Sequence, residues 1–190
     1  MKKWVCLLLV LALSMVSFSA LAADVTLQYE KITFKLDENV PLEEEPDAKI
    51  GDVYFTAYVA YPANGDQATN LNLTISESGG VSMDAMTDTL VDALISMLEE
   101  QMKQQMSAQG VTITDMQETN RGWVTMGGQK TLTYTFKMTM EMYGVSIDMY
   151  MTQWMTSYDG TLYTFTATAM NEGDLATYFE PIMNSVAFVG

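Results

Sequence analysis

Between Met138 and Met155 the chain reads MTMEMYGVSIDMYMTQWM, six methionines of which five fall in alternate-residue steps. Residues two apart on a strand share a face, and cross-strand partners hold their Cβ atoms roughly 5 Å apart. Thioethers gathered this way could select Cu(I), line an adaptable apolar pocket, or fill a core. The residues that would assist a metal are missing: the chain has no histidine, and its one cysteine is Cys6. Imidazole metal sites and Ser-His or Cys-His nucleophiles are therefore excluded. Glu43, Glu44, Glu45 and Asp47 form an acidic run. It lacks the alternating spacing and turn glycine of a calcium loop, so it reads as a solvated loop. The expectation is a chain with no catalytic residues, no cofactor and no metal, whose methionines are core.

The N-terminus carries export signals. Lys2 and Lys3 precede an apolar run from Trp4 to Phe18, and SALAAD follows with Ala20 and Ala22 in an A-x-A arrangement. This predicts a signal peptide over 1–22, cut after Ala22, and a single domain over 23–190 with no membrane anchor. Cys6 leaves with the signal, so the mature chain has no thiol. The whole chain carries −15; without Lys2 and Lys3, 24 acids face 7 bases, a net −17. Such a surface repels phosphate backbones, which argues against nucleic acid as a partner. The predicted location is periplasmic or secreted.

The elements that would position these residues follow from period and punctuation. DVTLQYEKITFKLDENV reads as a first strand region, PLEEEPDAKIGD as a loop, and VYFTAYVAYP and LNLTIS as strands. From Ser82 the period becomes helical. Met83, Met86, Leu90, Leu94, Met97, Leu98, Met102 and Met106 form a stripe, Ser82 a cap, and Gly110 a stop. One amphipathic helix is predicted over Ser82 to Ala108, covering the methionines. VTITDMQET is a strand, and NRGW and MGGQK are turn signals around a short strand. TLTYTFKMTMEM is a long strand. Near the C-terminus Asp174 is placed as the cap of a short helix carrying Leu175, Phe179, Ile182 and Met183, shortened or kinked by Pro181, before an extended SVAF.

Registers follow from the turns. Tyr143-Gly144 as a two-residue loop pairs Met142 with Val145, Met140 with Ile147, Met138 with Met149, Phe136 with Met151 and Leu132 with Met155. At the next turn a two-residue Asp159-Gly160 loop would set Thr164, Thr166 and Thr168 against the methionines. A three-residue Tyr158-Asp159-Gly160 loop would set Tyr163, Phe165, Ala167 and Ala169 there instead, and this apolar match is the prediction.

With ITFKLDEN, a long helix after the third strand, GGQKTLTYTF, YGVSIDMYMTQWMTSYDGTLYTFTATA and a closing FEPIMNSVAF, the chain resembles the PsbP-like family. It departs from that pattern where a P-x-x-W-like turn gives way to the acidic DENVPLEEEPD. The resemblance implies an α+β fold: an antiparallel sheet of about six to seven strands flanked by a long helix and a shorter C-terminal helix. It implies no shared catalytic residues. The expected function is that of an exported, non-enzymatic domain binding a protein partner or envelope component. The alternative is a carrier of a small hydrophobic ligand between the methionine face and the long helix. Arg121 and Trp123 in NRGW, with Tyr150 and Trp154 on the threonine face, are the candidate contact residues, since arginine and aromatics are enriched at binding hot spots.

Overall fold

A computed structural model describes residues 25–29, 31–36, 42–50, 53–60, 69–77, 82–108 and 110–190. The segment expected to be a signal peptide lies outside the described residues. The fold is α+β. A seven-stranded antiparallel sheet runs in the order β3-β4-β5-β9-β8-β7-β6, made of β3 (Leu42–Ile50), β4 (Val53–Ala60), β5 (Asn70–Glu77), β6 (Thr112–Met126), β7 (Gln129–Met142), β8 (Val145–Tyr158) and β9 (Thr161–Ala169). A smaller sheet joins β1 (Val25–Tyr29), β2 (Ile32–Leu36) and β10 (Ala187–Phe188), the last being the extended return expected of SVAF.

The β7–β8 register matches the expected pairing residue for residue, from Met142↔Val145 to Leu132↔Met155. Tyr143 and Gly144 sit at φ 52° and 78°, both in the left-handed region, as a two-residue turn of the twist-matched kind requires.

The β8–β9 register corrects the sequence reading. Tyr158 pairs with Thr161, and Asp159 and Gly160 alone form the loop at φ 47° and 80°. Thr164, Thr166 and Thr168 therefore share the methionine face, while Tyr163, Phe165, Ala167 and Ala169 share the opposite face with Trp154. Two physical reasons favour this arrangement. Aspartate tolerates the left-handed conformation, and a two-residue loop follows the sheet's own twist. The opposite face is also covered: Ile32 and Phe34 of β2, with Leu175, Phe179, Ile182 and Met183, bury Tyr163 and Phe165 completely. The ring of Phe34 meets that of Phe165 edge-on at 5.4 Å. The apolar residues of β9 needed a core, and the second layer supplies one on the side away from the methionines.

On the methionine face Met138, Met140, Met149, Met151 and Met155 are buried in one cluster with Val91, Ile95 and Met106 of helix α1 (Asp88–Ala108). The helix begins later than expected. Met83–Ala85 form a 3-10 turn, and the Thr87 hydroxyl accepts the Leu90 N–H at 3.4 Å. Thr87, not Ser82, is thus the capping residue. The buried stripe runs through Val91 and Ile95, leaving Leu90 51 % and Met97 50 % exposed.

Three further expectations change. Within PLEEEPDAKIGD, Leu42–Ile50 form edge strand β3 rather than a loop, with a bulge between Glu45 and Ala48 that takes up Pro46. Proline is admitted at edges and bulges because no ladder N–H is needed there. NRGW is not a turn: β6 runs through it, with bulges at Ile113/Asp115 and Glu118/Asn120. The C-terminal helix follows Asn171 rather than starting at Asp174, and comprises α2 (Glu172–Asp174), a π-helical stretch (Leu175–Phe179) and α3 (Glu180–Ser185). Pro181 lies in the first turn of α3, and the wide π turn before it absorbs the missing donor.

Candidate functional site

The four candidate contact residues lie on two faces. Arg121 pairs with Tyr134 and Trp123 with Leu132, which puts both on the methionine face beside α1. Tyr150 pairs with Lys137 and Trp154 with Thr133, on the opposite face. The structure brings them together as two pairs and not as one patch.

Arg121 stands at the seam between β6 and α1. Its Nε donates to Glu118 Oε1 at 2.9 Å, its second terminal nitrogen to Glu118 Oε2 at 2.6 Å, and its first to Asp92 of α1. The bulge between Glu118 and Asn120 places Glu118 on the same face, three positions away, where a planar fork can meet both carboxylate oxygens. Hydrogen bonding to Glu118, then to Asp92, holds the guanidinium proton more tightly than usual. Arg121 thus anchors α1 to the sheet edge, and its donors are largely committed. Trp123 is half-buried against the same core, with the Lys130 ammonium over its ring at 4.0 Å. This is a cation–π contact that keeps the ring in place.

On the other face Trp154 is core, 9 % exposed and packed with Phe165 and its neighbours. Tyr150 is half-buried at the margin of that core. Lys137 reaches over it, 6.0 Å from the ring centre, and pairs with Asp148 at 2.9 Å. The hydrogen bond from Lys137, and then one from Thr139, lower the Asp148 pKa. The same bond to Asp148 raises that of Lys137.

The methionine face is not uniformly apolar. A polar line crosses it: the Tyr134 hydroxyl donates to Gln153 Oε1, and Gln153 Nε2 donates to Thr166 Oγ1 at 3.0 Å. Asn72 lies opposite Thr166 and donates to Asn70 Oδ1 at 2.9 Å. Burial pushes the Tyr134 hydroxyl pKa up. Among the described residues no three acidic side chains gather as a metal site, and no helix is long and apolar enough to cross a membrane.

The most exposed apolar group among the described residues was missed by the sequence reading. At the end of the β7–β8 hairpin Tyr143 is 96 % exposed, Val145 57 % and Met142 40 %, contiguous along the chain. Tyr143 holds a left-handed conformation that asparagine or aspartate would take at lower cost. The signal was present in MYGV. A two-residue turn with a large aromatic residue at its first position is unusual chemistry for a turn that only reverses the chain.

No protein-family model matches the chain, and no curated protein matches it. Among solved structures, the solution structure of cyanobacterial PsbP (CyanoP) from Synechocystis sp. PCC 6803 superposes with a TM-score of 0.57. The two are 17 % identical over 93 % of this chain and 98 % of that one. LpqN, involved in cell envelope biogenesis of Mycobacterium tuberculosis, gives a TM-score of 0.45 at 8 % identity, over 88 % of this chain and 91 % of that chain. That looser superposition carries nothing further. At such identities the similarity to cyanobacterial PsbP establishes shared architecture: this chain has a PsbP-like fold.

Proposed function

We propose that the chain is an exported PsbP-like domain, residues 23–190 after loss of the signal, that acts by binding a protein partner or envelope component and not by catalysis. The observation that carries this reading is the apolar hairpin end, Met142, Tyr143 and Val145, held out from a net-acidic chain on a strained turn. Backbone strain costs stability and persists where function uses it, and exposed apolar patches mark interaction sites. The absence of histidine, and of any thiol after signal removal, supports binding over chemistry. The fold itself is neutral on this point.

The test is site-specific photo-crosslinking of the exported protein in its own host. A photoreactive phenylalanine replaces Tyr143, and a control carries it at Leu90. A discrete adduct from Tyr143 alone supports the reading; no adduct from either position, or equal labelling at both, overturns it. Intact mass of the recovered protein tests cleavage after Ala22. The same spectrum tests the carrier alternative, because a hydrophobic ligand on the methionine face would have to part α1 from the sheet and would add its own mass.

A further inference from the structure

The β7–β8 hairpin outruns its neighbour. β9 ends at Ala169, opposite Tyr150, so residues 145–149 of β8 have no strand on that side among the described residues. The register shows which backbone groups face the gap. Tyr158 and Thr161 close the two-residue loop and exchange hydrogen bonds, so alternate residues of β8 back to Tyr150 bond to β9. The same alternation, continued, directs Asp148 and Ser146 into the gap. The other loop agrees independently. Met142 and Val145 close it, so Val145, Ile147 and Met149 bond to β7 while Ser146 and Asp148 face outward.

The end strands of the large sheet are built differently. β3 carries Pro46, three consecutive glutamates and a bulge; β6 carries two bulges and is pinned to α1 by Arg121. These are the devices that discourage a further strand from adding. The β8 overhang has no bulge and no proline, and it ends in exposed apolar side chains. Its surroundings are acidic: Glu141, Asp148, and Glu172 and Asp174 where the chain leaves β9. The cation at its base, Lys137, is paired to Asp148.

From this geometry we infer that the open edge of β8 at Ser146 and Asp148 receives an extended segment of a partner protein, which continues the sheet where β9 stops. This rests on the binding reading above and adds its surface and the partner's chemistry. The segment places alternate apolar side chains beside Val145 and Ile147, and carries lysine or arginine toward the acidic rim. Main-chain bonds supply affinity and the side chains supply selection. A second copy of this chain is disfavoured as occupant, since two such acidic rims would face each other.

The probe is an end-blocked seven-residue peptide alternating valine and lysine, added to the mature protein and followed by amide hydrogen exchange and NMR. The expected result is new protection at Ser146 and Asp148, weakened by salt, with a glutamate-for-lysine peptide failing to bind. Ser146→Pro is the decisive variant. Its N–H faces the gap, so proline removes no internal bond yet blocks the edge. The expected loss of affinity is about tenfold or more with the unfolding midpoint unchanged. A peptide with N-methylated backbone but the same side chains must also fail. Protection appearing instead on β3 or β6, undiminished binding to Ser146→Pro, a dimer that Ser146→Pro dissolves, or no binding of the valine–lysine peptide each overturns the edge assignment. None of these outcomes touches the crosslinking at Tyr143, so the assignment can fail while the broader reading stands.

Discussion

Replacing Tyr143 with asparagine should make the protein more stable while removing the most exposed aromatic ring among the described residues. Tyr143 sits at φ 52° with its side chain 96 % exposed, so substitution forfeits almost no buried area. The left-handed conformation costs an ordinary L-residue on the order of 1–2 kcal/mol, and asparagine recovers part of that through local hydrogen bonding. A gain of about 0.5–1 kcal/mol is expected. For a domain of this size about 1 kcal/mol moves the midpoint roughly 2–4 °C, so Tyr143→Asn should melt about 1–4 °C higher. The assay is thermal unfolding by circular dichroism, repeated with urea, where the midpoint should rise at constant slope. Gly144→Ala, at φ 78°, should shift the midpoint the other way. If Tyr143→Asn melts at or below the parent, the turn is not strained. The argument that tyrosine is kept there for binding then fails with it.

Other substitutions test the packing. Ile95→Ala should cost about 2–4 kcal/mol because it opens a hole beneath α1, whereas Leu90→Ala, on the exposed flank, should cost less than about 1; reversed denaturation midpoints would mean the helix is rotated from the phase described. A Cβ on Gly127 would stand 2.8 Å from the Phe188 ring with φ at 57°, while one on Gly128 meets open space at φ 82°. Gly127→Ala should therefore lose more than Gly128→Ala, by about 1–3 kcal/mol, in paired urea titrations. The Tyr134 hydroxyl is raised by burial, so the folded state retains its proton where the unfolded state releases it. Its contribution is complete below about pH 10 and is lost as pH rises from there toward the folded value. Unfolding midpoints measured between pH 9 and 11 should fall, and Tyr134→Phe should flatten that fall.

What could be read from the chain was whatever depended on neighbours in sequence. Strand alternation in TLTYTFKMTMEM and the glycine of Tyr143-Gly144 determined the β7–β8 register, because a slip of one residue would have exposed every methionine. Composition alone removed imidazole chemistry. The candidate contacts were less legible. Tryptophan and arginine look alike in sequence whether they bind a partner or anchor a core, and here Arg121 ties α1 to β6 while Trp154 is buried.

Tertiary structure decided the rest, for one recurring reason. Local pattern shows that a segment has an apolar face but not which side of the sheet will cover it. The residues Tyr163, Phe165, Ala167 and Ala169 fit the methionine face by pattern. They lie on the other because β2, far away in sequence, and the C-terminal helix that follows β9 bury them there. The phase of α1, the admission of Pro46 to an edge strand, and the length by which β8 outruns β9 are likewise set by what packs alongside. Local pattern was enough for most strands of the large sheet and for the β7–β8 turn, and composition removed imidazole chemistry. Only the packed layers decided which faces are core and, among the described residues, how far β8 outruns β9.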